Sequence, residues 1–278
     1  MIDARDTPTT KVTALSSIAD PAGPRVGAVA TLDLNADLAE GFGIWALTDD
    51  DALLDVVTSA NVACGFHAGD PATMRRVCER AVERGVTIGA QVSYRDLAGF
   101  GRRFVDADPT ELAADLLYQV GALREFARAA GGEVAYLKPH GALYNAVVHH
   151  DAQAGAVVEA AGLAGLPVLG LPGSRFLARA QEAGLTTHAE AFGDRGYTPE
   201  GTLVPRREPG ALLPDADAVV ERARRLATDG VVVAVDGTEI PTRAASLCLH
   251  GDSPGAVASA RRVAEALRDA GVTLAPFA

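Results

Sequence analysis

The sequence predicts an α/β fold, a closed (β/α) barrel of the TIM type with seven or eight strands. Three observations carry this expectation. From Thr31 onward, short β-branched or apolar runs alternate with amphipathic stretches, as when helices cross over between the strands of a parallel sheet. Seven or eight such units in a chain of 278 residues suit a closed barrel better than an open sheet. No glycine-rich nucleotide fingerprint follows the first strand, where Asp33-Leu34-Asn35-Ala36-Asp37 stands instead.

The elements follow in order. Thr31–Asn35 reads as a strand and Thr48–Ser59 as a helix capped by Thr48 or Asp49. Asn61–Cys64 is a strand. Asp70 then caps a helix with Pro71 at its first position, and Met74, Val77, Cys78, Ala81 and Val82 form its apolar stripe before Gly85. Val86–Ala90 is the third strand. Asp108-Pro109-Thr110-Glu111 opens the next helix with a capping box, and Leu112, Leu116, Val120, Leu123 and Phe126 give its buried face. Further strands are expected at Val134–Lys138, Pro167–Leu171, Thr186–Glu190, Val231–Val235 and Ser246–His250, and Pro254–Ala270 closes the chain as a helix. Residues 1–30 have no clear period and read as a flexible N-terminal extension, which leaves 31–278 as one barrel domain.

Composition narrows the function. A net charge of -11 argues against nucleic acid, which needs a basic footprint. Three well-separated cysteines make neither a disulfide framework nor a CxxC zinc pair. No segment reads as a secretory signal or a membrane span, so a soluble cytoplasmic protein is expected. No P-loop, GxSxG elbow or HExxH helix occurs, and a serine triad has no support.

Polar residues gather where these strands end, which on a (β/α) barrel is the catalytic rim. Asp33, Asn35 and Asp37 alternate on the first strand and face the barrel interior together. The start resembles a calcium loop, but Leu38 and Ile44 occupy the positions that need glycine and glutamate, so that reading fails. His67 lies in a two-glycine loop, with Asp70 beside it as helix cap. Gly99-Phe100-Gly101-Arg102-Arg103 offers paired guanidinium groups suited to a carboxylate or phosphate. Of 25 basic residues only Lys11 and Lys138 are lysines, and Lys138 falls within Lys138-Pro139-His140-Gly141-Ala142-Leu143-Tyr144-Asn145. A buried lysine beside carboxylates can stabilise an oxyanion or act as an acid. Glu190, Asp194, Arg195, His250 and Asp252 complete the candidates, with a hydrogen-bond network or a structural Asp–Arg pair as the plain alternatives. His149, His150 and His188 are expected to be surface or packing residues.

Together these segments resemble the LamB/YcsF family, to which the A subunits of 5-oxoprolinases belong. The resemblance runs from Leu32 to about Leu274, through Asp33–Gly43, Ser59–Pro71, Gly99–Arg103, Tyr118–Leu123, Lys138–Asn145, Glu190–Tyr197 and His250–Asp252. It implies a barrel related to the glycoside hydrolase and deacetylase barrels, and ATP-dependent opening of 5-oxo-L-proline to L-glutamate. It implies ATP as co-substrate, bound by this chain or shared with separate B and C subunits; a homo-oligomer is compatible with it. Where the family commonly has Gly-Ala-His-Pro, this chain has Gly89-Ala90-Gln91-Val92, and Ala39 replaces a glycine. Gln91 puts a non-titrating amide, a poor metal ligand, in place of an imidazole.

The mechanism expected on this basis has Asp37 or His67 as general base on water, with Lys138 and His140 stabilising the oxyanion. Asp33, Asn35, Gln91, Arg102, Arg103, Tyr144, Asn145, Glu190, Asp194, Arg195, His250 and Asp252 would surround the substrate. Arg102, Arg103 or Arg195 would hold its carboxylate. Two alternatives remain open. One is a metal-dependent amidohydrolase or deacetylase with a divalent ion on Asp33, Asp37, His67, His140 or His250. The other is a binding subunit without turnover.

Overall fold

Seven strands close on one another in the computed structural model, which describes residues 31–253 and 255–278. The expected N-terminal extension lies outside the described residues. The barrel strands are β1 (Thr31–Leu38), β2 (Ser59–Ala63), β3 (Thr87–Val92), β4 (Val134–Pro139), β5 (Val168–Gly170) and β6 (Thr187–Phe192). After the hairpin strands β7 (Val231–Val233) and β8 (Glu239–Pro241), β9 (Ser246–Leu249) closes the ring. Every barrel pairing is parallel, from β1 through β6 to β9 and back to β1. A two-residue strand, β10 (Thr273–Leu274), runs parallel beside the start of β1.

The helices are α1 (Asp50–Leu54), α2 (Pro71–Arg84), α3 (Pro109–Ala129), α4 (Gly141–Ala146), α5 (Asp151–Ala164), α6 (Arg175–Glu182), α7 (Ala216–Asp229) and α8 (Ala256–Asp269). Local chemistry sets their ends. Asp49, Asp70 and Asp108 accept from the first free backbone N–H groups, as the sequence predicts. Gly85, Gly165 and Gly230 turn left-handed at C-termini, where a Cβ would be strained. The helix expected over Thr48–Ser59 shrinks to α1, since Ser59 already belongs to β2.

The Val231–Val235 run is not a barrel strand. It pairs antiparallel with β8 as a small hairpin outside the ring. Asp236 and Gly237 explain this: Thr238 N–H donates to Asp236 Oδ1 and Gly237 takes φ 91°, so the chain reverses before it could cross the barrel.

The barrel interior is polar and layered. β1 reaches Leu38, three residues further than expected, so Asp33 and Asn35 lie within the barrel and only Asp37 approaches its upper end. Asp33, lowest of the three, accepts hydrogen bonds from Thr58 (2.5 Å), Ser59 (2.7 Å) and Ser246. Above it Asn35 donates to Ser246 (2.5 Å), and Asn61 donates to Asn35 (2.6 Å) and Asp37 (2.9 Å). The Tyr136 ring passes over Gly89, where any Cβ would lie 2.2 Å from it, and its hydroxyl reaches Asn61 (2.6 Å). Apolar partners such as Leu34, Ala36, Val62 and Leu137 form the core between strands and helices. Among the described residues no helix is long and apolar enough to cross a membrane.

Candidate active site

The third layer is ionic. Lys138 enters from β4 fully buried, its Nζ 3.0 Å from Glu190 and 3.3 Å from Asp37. Cys248 Sγ (3.2 Å) and Asn35 Oδ1 (3.5 Å) complete its surroundings. Burial alone would discharge the ammonium, but Asp37, Cys248 and Glu190 outweigh it and hold the Lys138 pKa well above its ordinary value. Burial would likewise raise Asp37; Lys138, followed by His250 and His140, reverses this and holds it well below the usual carboxylate range. Glu190 keeps the opposite sign, since its burial exceeds what Lys138 returns. The floor is therefore a charged Asp37–Lys138 pair with a second buried carboxyl, Glu190, against the ammonium.

A second cluster forms the wall. β1 is followed by Ala39, which takes the left-handed φ of 59°, and this turn brings Glu40 over the barrel. Glu40 is buried, accepts from Gln91 Nε2 (3.2 Å) and lies 3.5 Å from His140 Nε2. Gln91 Oε1 in turn meets His67 Nε2 at 3.1 Å. The two imidazole rings stack at 4.3 Å, and Phe100 sits edge-on to His140 at 5.4 Å. Burial, then the charges of Asp37 and Asp252, push Glu40 well above its ordinary pKa. Burial pulls His67 down to about 4 and, with the help of His67, pulls His140 well below its ordinary value. Both imidazoles are neutral at pH 7. If their Nε2 atoms carry the protons that Gln91 and Glu40 accept, Nδ1 is a bare acceptor on each, and neither Nδ1 has a partner among the described residues.

Above floor and wall opens a cavity of about 1080 Å³. Of the predicted residues, Asp37, Lys138, His140, Arg102, Arg103, Tyr144, Asn145, Arg195 and His250 line it. His67, Gln91, Glu190, Asp194 and Asp252 stand behind that lining. Asp33 and Asn35 belong to the lower layers, outside the cavity lining, where hydroxyls and amides hold them. Tyr144 brings a buried hydroxyl beside Glu190, while exposed Asn145 donates to Gly141 O (2.9 Å).

The three arginines expected to hold a carboxylate are committed elsewhere. Arg102 pairs with Asp252 at 2.6 Å, and Arg103 with Asp96, its Nε at 2.8 Å. Arg195 is buried and donates to the carbonyls of Ala211 (3.0 Å) and Val204 (2.7 Å). Burial, with the neighbouring Arg206 charge, lowers it to about 10. The Gly99–Arg103 loop is packed as a wall. A Cβ on Gly101 would meet Ser93 Oγ at 2.7 Å and His67 at 2.9 Å. His250 is held by Asp194, which lies 2.9 Å from its Nδ1.

The metal set expected from sequence is also rearranged. Asp33 is taken by hydroxyls, Asp37 by Lys138 and His250 by Asp194. Among the described residues the group with converging ligand atoms is Glu40, His67 and His140, within 4.8 Å of one another. Sequence reasoning missed Glu40 and Asn61. Both stood in motifs already singled out, but Glu40 has no strand periodicity to announce it, because a left-handed turn aims it.

Comparison with known proteins agrees with this architecture. The LamB/YcsF family model matches residues 32–278. The 5-oxoprolinase A subunit of Streptomyces avermitilis is 68% identical over 249 residues, covering 89% of this chain and 100% of the relative. The corresponding A subunit from Mycobacterium avium is 60% identical over 251 residues, covering 90% and 100%. The crystal structure of a lactam utilization protein from Thermus thermophilus superposes with a TM-score of 0.84 at 41% identity, covering 89% and 100%.

Proposed function

The chain belongs to the LamB/YcsF family, and from that premise we propose that it opens 5-oxo-L-proline to L-glutamate in an ATP-dependent reaction, as the cytoplasmic A subunit of a complex with B and C subunits. The observation that carries this reading is the buried Asp37–Lys138–Glu190 group at the floor of a cavity whose wall holds neutral His140. The names of the 5-oxoprolinase and lactam utilization relatives point the same way.

The residues divide the work as follows. Asp37, held ionised by Lys138, is a poor base and serves to keep the ammonium charged and in place. Lys138 faces the carbonyl oxygen as negative charge develops there. His140, held by Glu40 at 3.5 Å, takes the proton of the attacking water and returns it to the ring nitrogen as the C–N bond breaks. His67 and Gln91 fix the ring and the carboxyl in register. The Tyr144 hydroxyl, in the cavity lining beside Glu190, can donate to the lactam. ATP activates the amide, and its handling is shared with the partner subunits, since the chain carries no P-loop. The test is glutamate formation from 5-oxoproline and ATP, with and without the partner subunits. Absence of glutamate with all three present defeats the reading.

One observation favours a second reading. Glu40, His67 and His140 could hold a divalent ion, which would polarise an amide or a bound water. Against this, His67 Nε2 already meets the neutral amide oxygen of Gln91 at 3.1 Å. A metal-binding imidazole also normally donates its second N–H, and neither Nδ1 finds an acceptor among the described residues. Elemental analysis and titration with Zn²⁺ decide this. A stoichiometric ion lost in Glu40→Gln would favour the amidohydrolase.

A further inference from the structure

The cavity holds cationic side chains out of proportion to an acidic protein. Arg102, Arg103, Arg195, Arg206, Arg207 and Lys138 line it, against the carboxylates Asp37 and Glu208. Five of these cations can be set aside. Lys138 is neutralised at the floor. Arg102 and Arg103 face Asp252 and Asp96, Arg195 is spent on backbone carbonyls, and Arg207 stands out in solvent. Arg206 is different: it is half-buried in the lining and forms no ion pair within 4 Å among the described residues, although Asp194 and Asp252 feel its charge. A guanidinium that lines a cavity without an ion pair of its own keeps its planar donor fork available for a carboxylate.

The loop between β6 and α7 is built to present this side chain. Arg195 ties together the carbonyls of Val204 and Ala211, which lie on either side of Arg206 in the chain. The Gly196 N–H donates to Ala211 O, and the Gly196 carbonyl accepts from Val204 N–H, both at 3.0 Å. Arg222, from α7, clamps Arg195 O at 3.0 Å. A Cβ on Gly196 would stand 1.9 Å from Gly210 O, so the two ends of the loop close tightly. Arg206 thus rides on a stapled bend, which lowers the entropic cost of ordering it around a ligand.

We propose that Arg206 is the anchor for the substrate's carboxylate and the residue that selects a carboxylated lactam over a plain one. The assignment rests on the lactam reading above. It replaces the three arginines that the sequence offered for this role.

The test compares 5-oxoproline with 2-pyrrolidinone, the same ring without the carboxylate, on wild type, Arg206→Gln, Arg206→Lys and, as control, Arg261→Gln on the outer surface of α8. With partner subunits and ATP present, Arg206→Gln should raise KM for 5-oxoproline about 10- to 100-fold with kcat little changed. Its affinity for 5-oxoproline, read by calorimetry, should fall toward that for 2-pyrrolidinone. Arg206→Lys should recover part of the loss, and Arg261→Gln should behave as wild type. An unchanged KM in Arg206→Gln, or equal weakening of both lactams, overturns the assignment. If wild type makes no glutamate, the lactam-opening reading fails alone. The anchor then stands if 5-oxoproline binding depends on Arg206, and falls if wild type binds none or binds it independently of Arg206.

Discussion

Asp33 and Asp37 lie four residues apart on the same face of β1, yet the barrel treats them oppositely. Asp33 is met by three hydroxyls, from Thr58, Ser59 and Ser246. Burial nonetheless raises its pKa, because hydrogen bonds to neutral groups recover only part of the lost hydration. Asp37 meets the Lys138 ammonium and is held ionised. The lower layer is closed on itself and asks for nothing. The upper layers leave the Nδ1 atoms of His67 and His140 without partners among the described residues. One strand therefore carries a carboxylate held by neutral hydroxyls and one paired with an ammonium, and the difference lies in what the neighbouring strands bring to each height.

The strongest way to break this contrast is to remove the ammonium. Lys138→Met leaves buried Asp37 without its counter-charge and should cost about 3–5 kcal/mol in denaturant unfolding, with glutamate formation abolished. A stability change under about 1 kcal/mol would mean that the pair is not the electrostatic centre of the upper layer.

Acid should attack the wall before the lower layer. His67 titrates at about 4 in the fold, against 6.5 for an ordinary imidazole. Between these values the unfolded chain binds more protons than the folded one, so stability falls as pH drops from about 6.5 toward 4. The loss from His67 alone is about 3 kcal/mol over that window. Denaturation midpoints measured across it in wild type and His67→Gln should differ in slope, the variant being flatter. Parallel curves refute the buried neutral imidazole.

Asp33→Asn sharpens the comparison from below. It removes one acceptor from a closed network and should cost about 1–2 kcal/mol, with kcat/KM within about twofold of wild type. A large kinetic loss at unchanged stability would move Asp33 into the chemistry. The smallest expected effect is at the end of β1. Ala39 carries a Cβ at φ 59°, and Ala39→Gly should relieve about 1 kcal/mol of left-handed strain, read as a higher Tm. A lower Tm would mean that the fully buried methyl contributes more by packing than its backbone costs.

Much of this was legible in the chain. The caps Asp49, Asp70 and Asp108 and the terminating Gly85 are local chemistry, and local chemistry can be read from neighbours in sequence. Lys138 and His140 declared themselves by rarity and by following a strand. Strand ends were less readable: extending β1 to Leu38 turned Asp33 and Asn35 from rim residues into inner layers, because pairing with β2 and β9 decides where a strand stops. The Val231–Val235 run has strand-like residues, but its Asp-Gly turn folded it into a hairpin.

The sequence by itself determined the alternation of strands and helices, the polar inward face of β1 and the segments that meet at the cavity. Those follow from periodicity and capping, which act over a few residues. The tertiary structure alone decided which charges are spent and which are free. Arg102 finds Asp252 across 150 positions of chain and Lys138 finds Asp37 across 101, so no local pattern could assign those partners. Glu40 joins His140 for the same reason, and Arg206, in a cavity it shares with Glu208, forms no ion pair within 4 Å among the described residues.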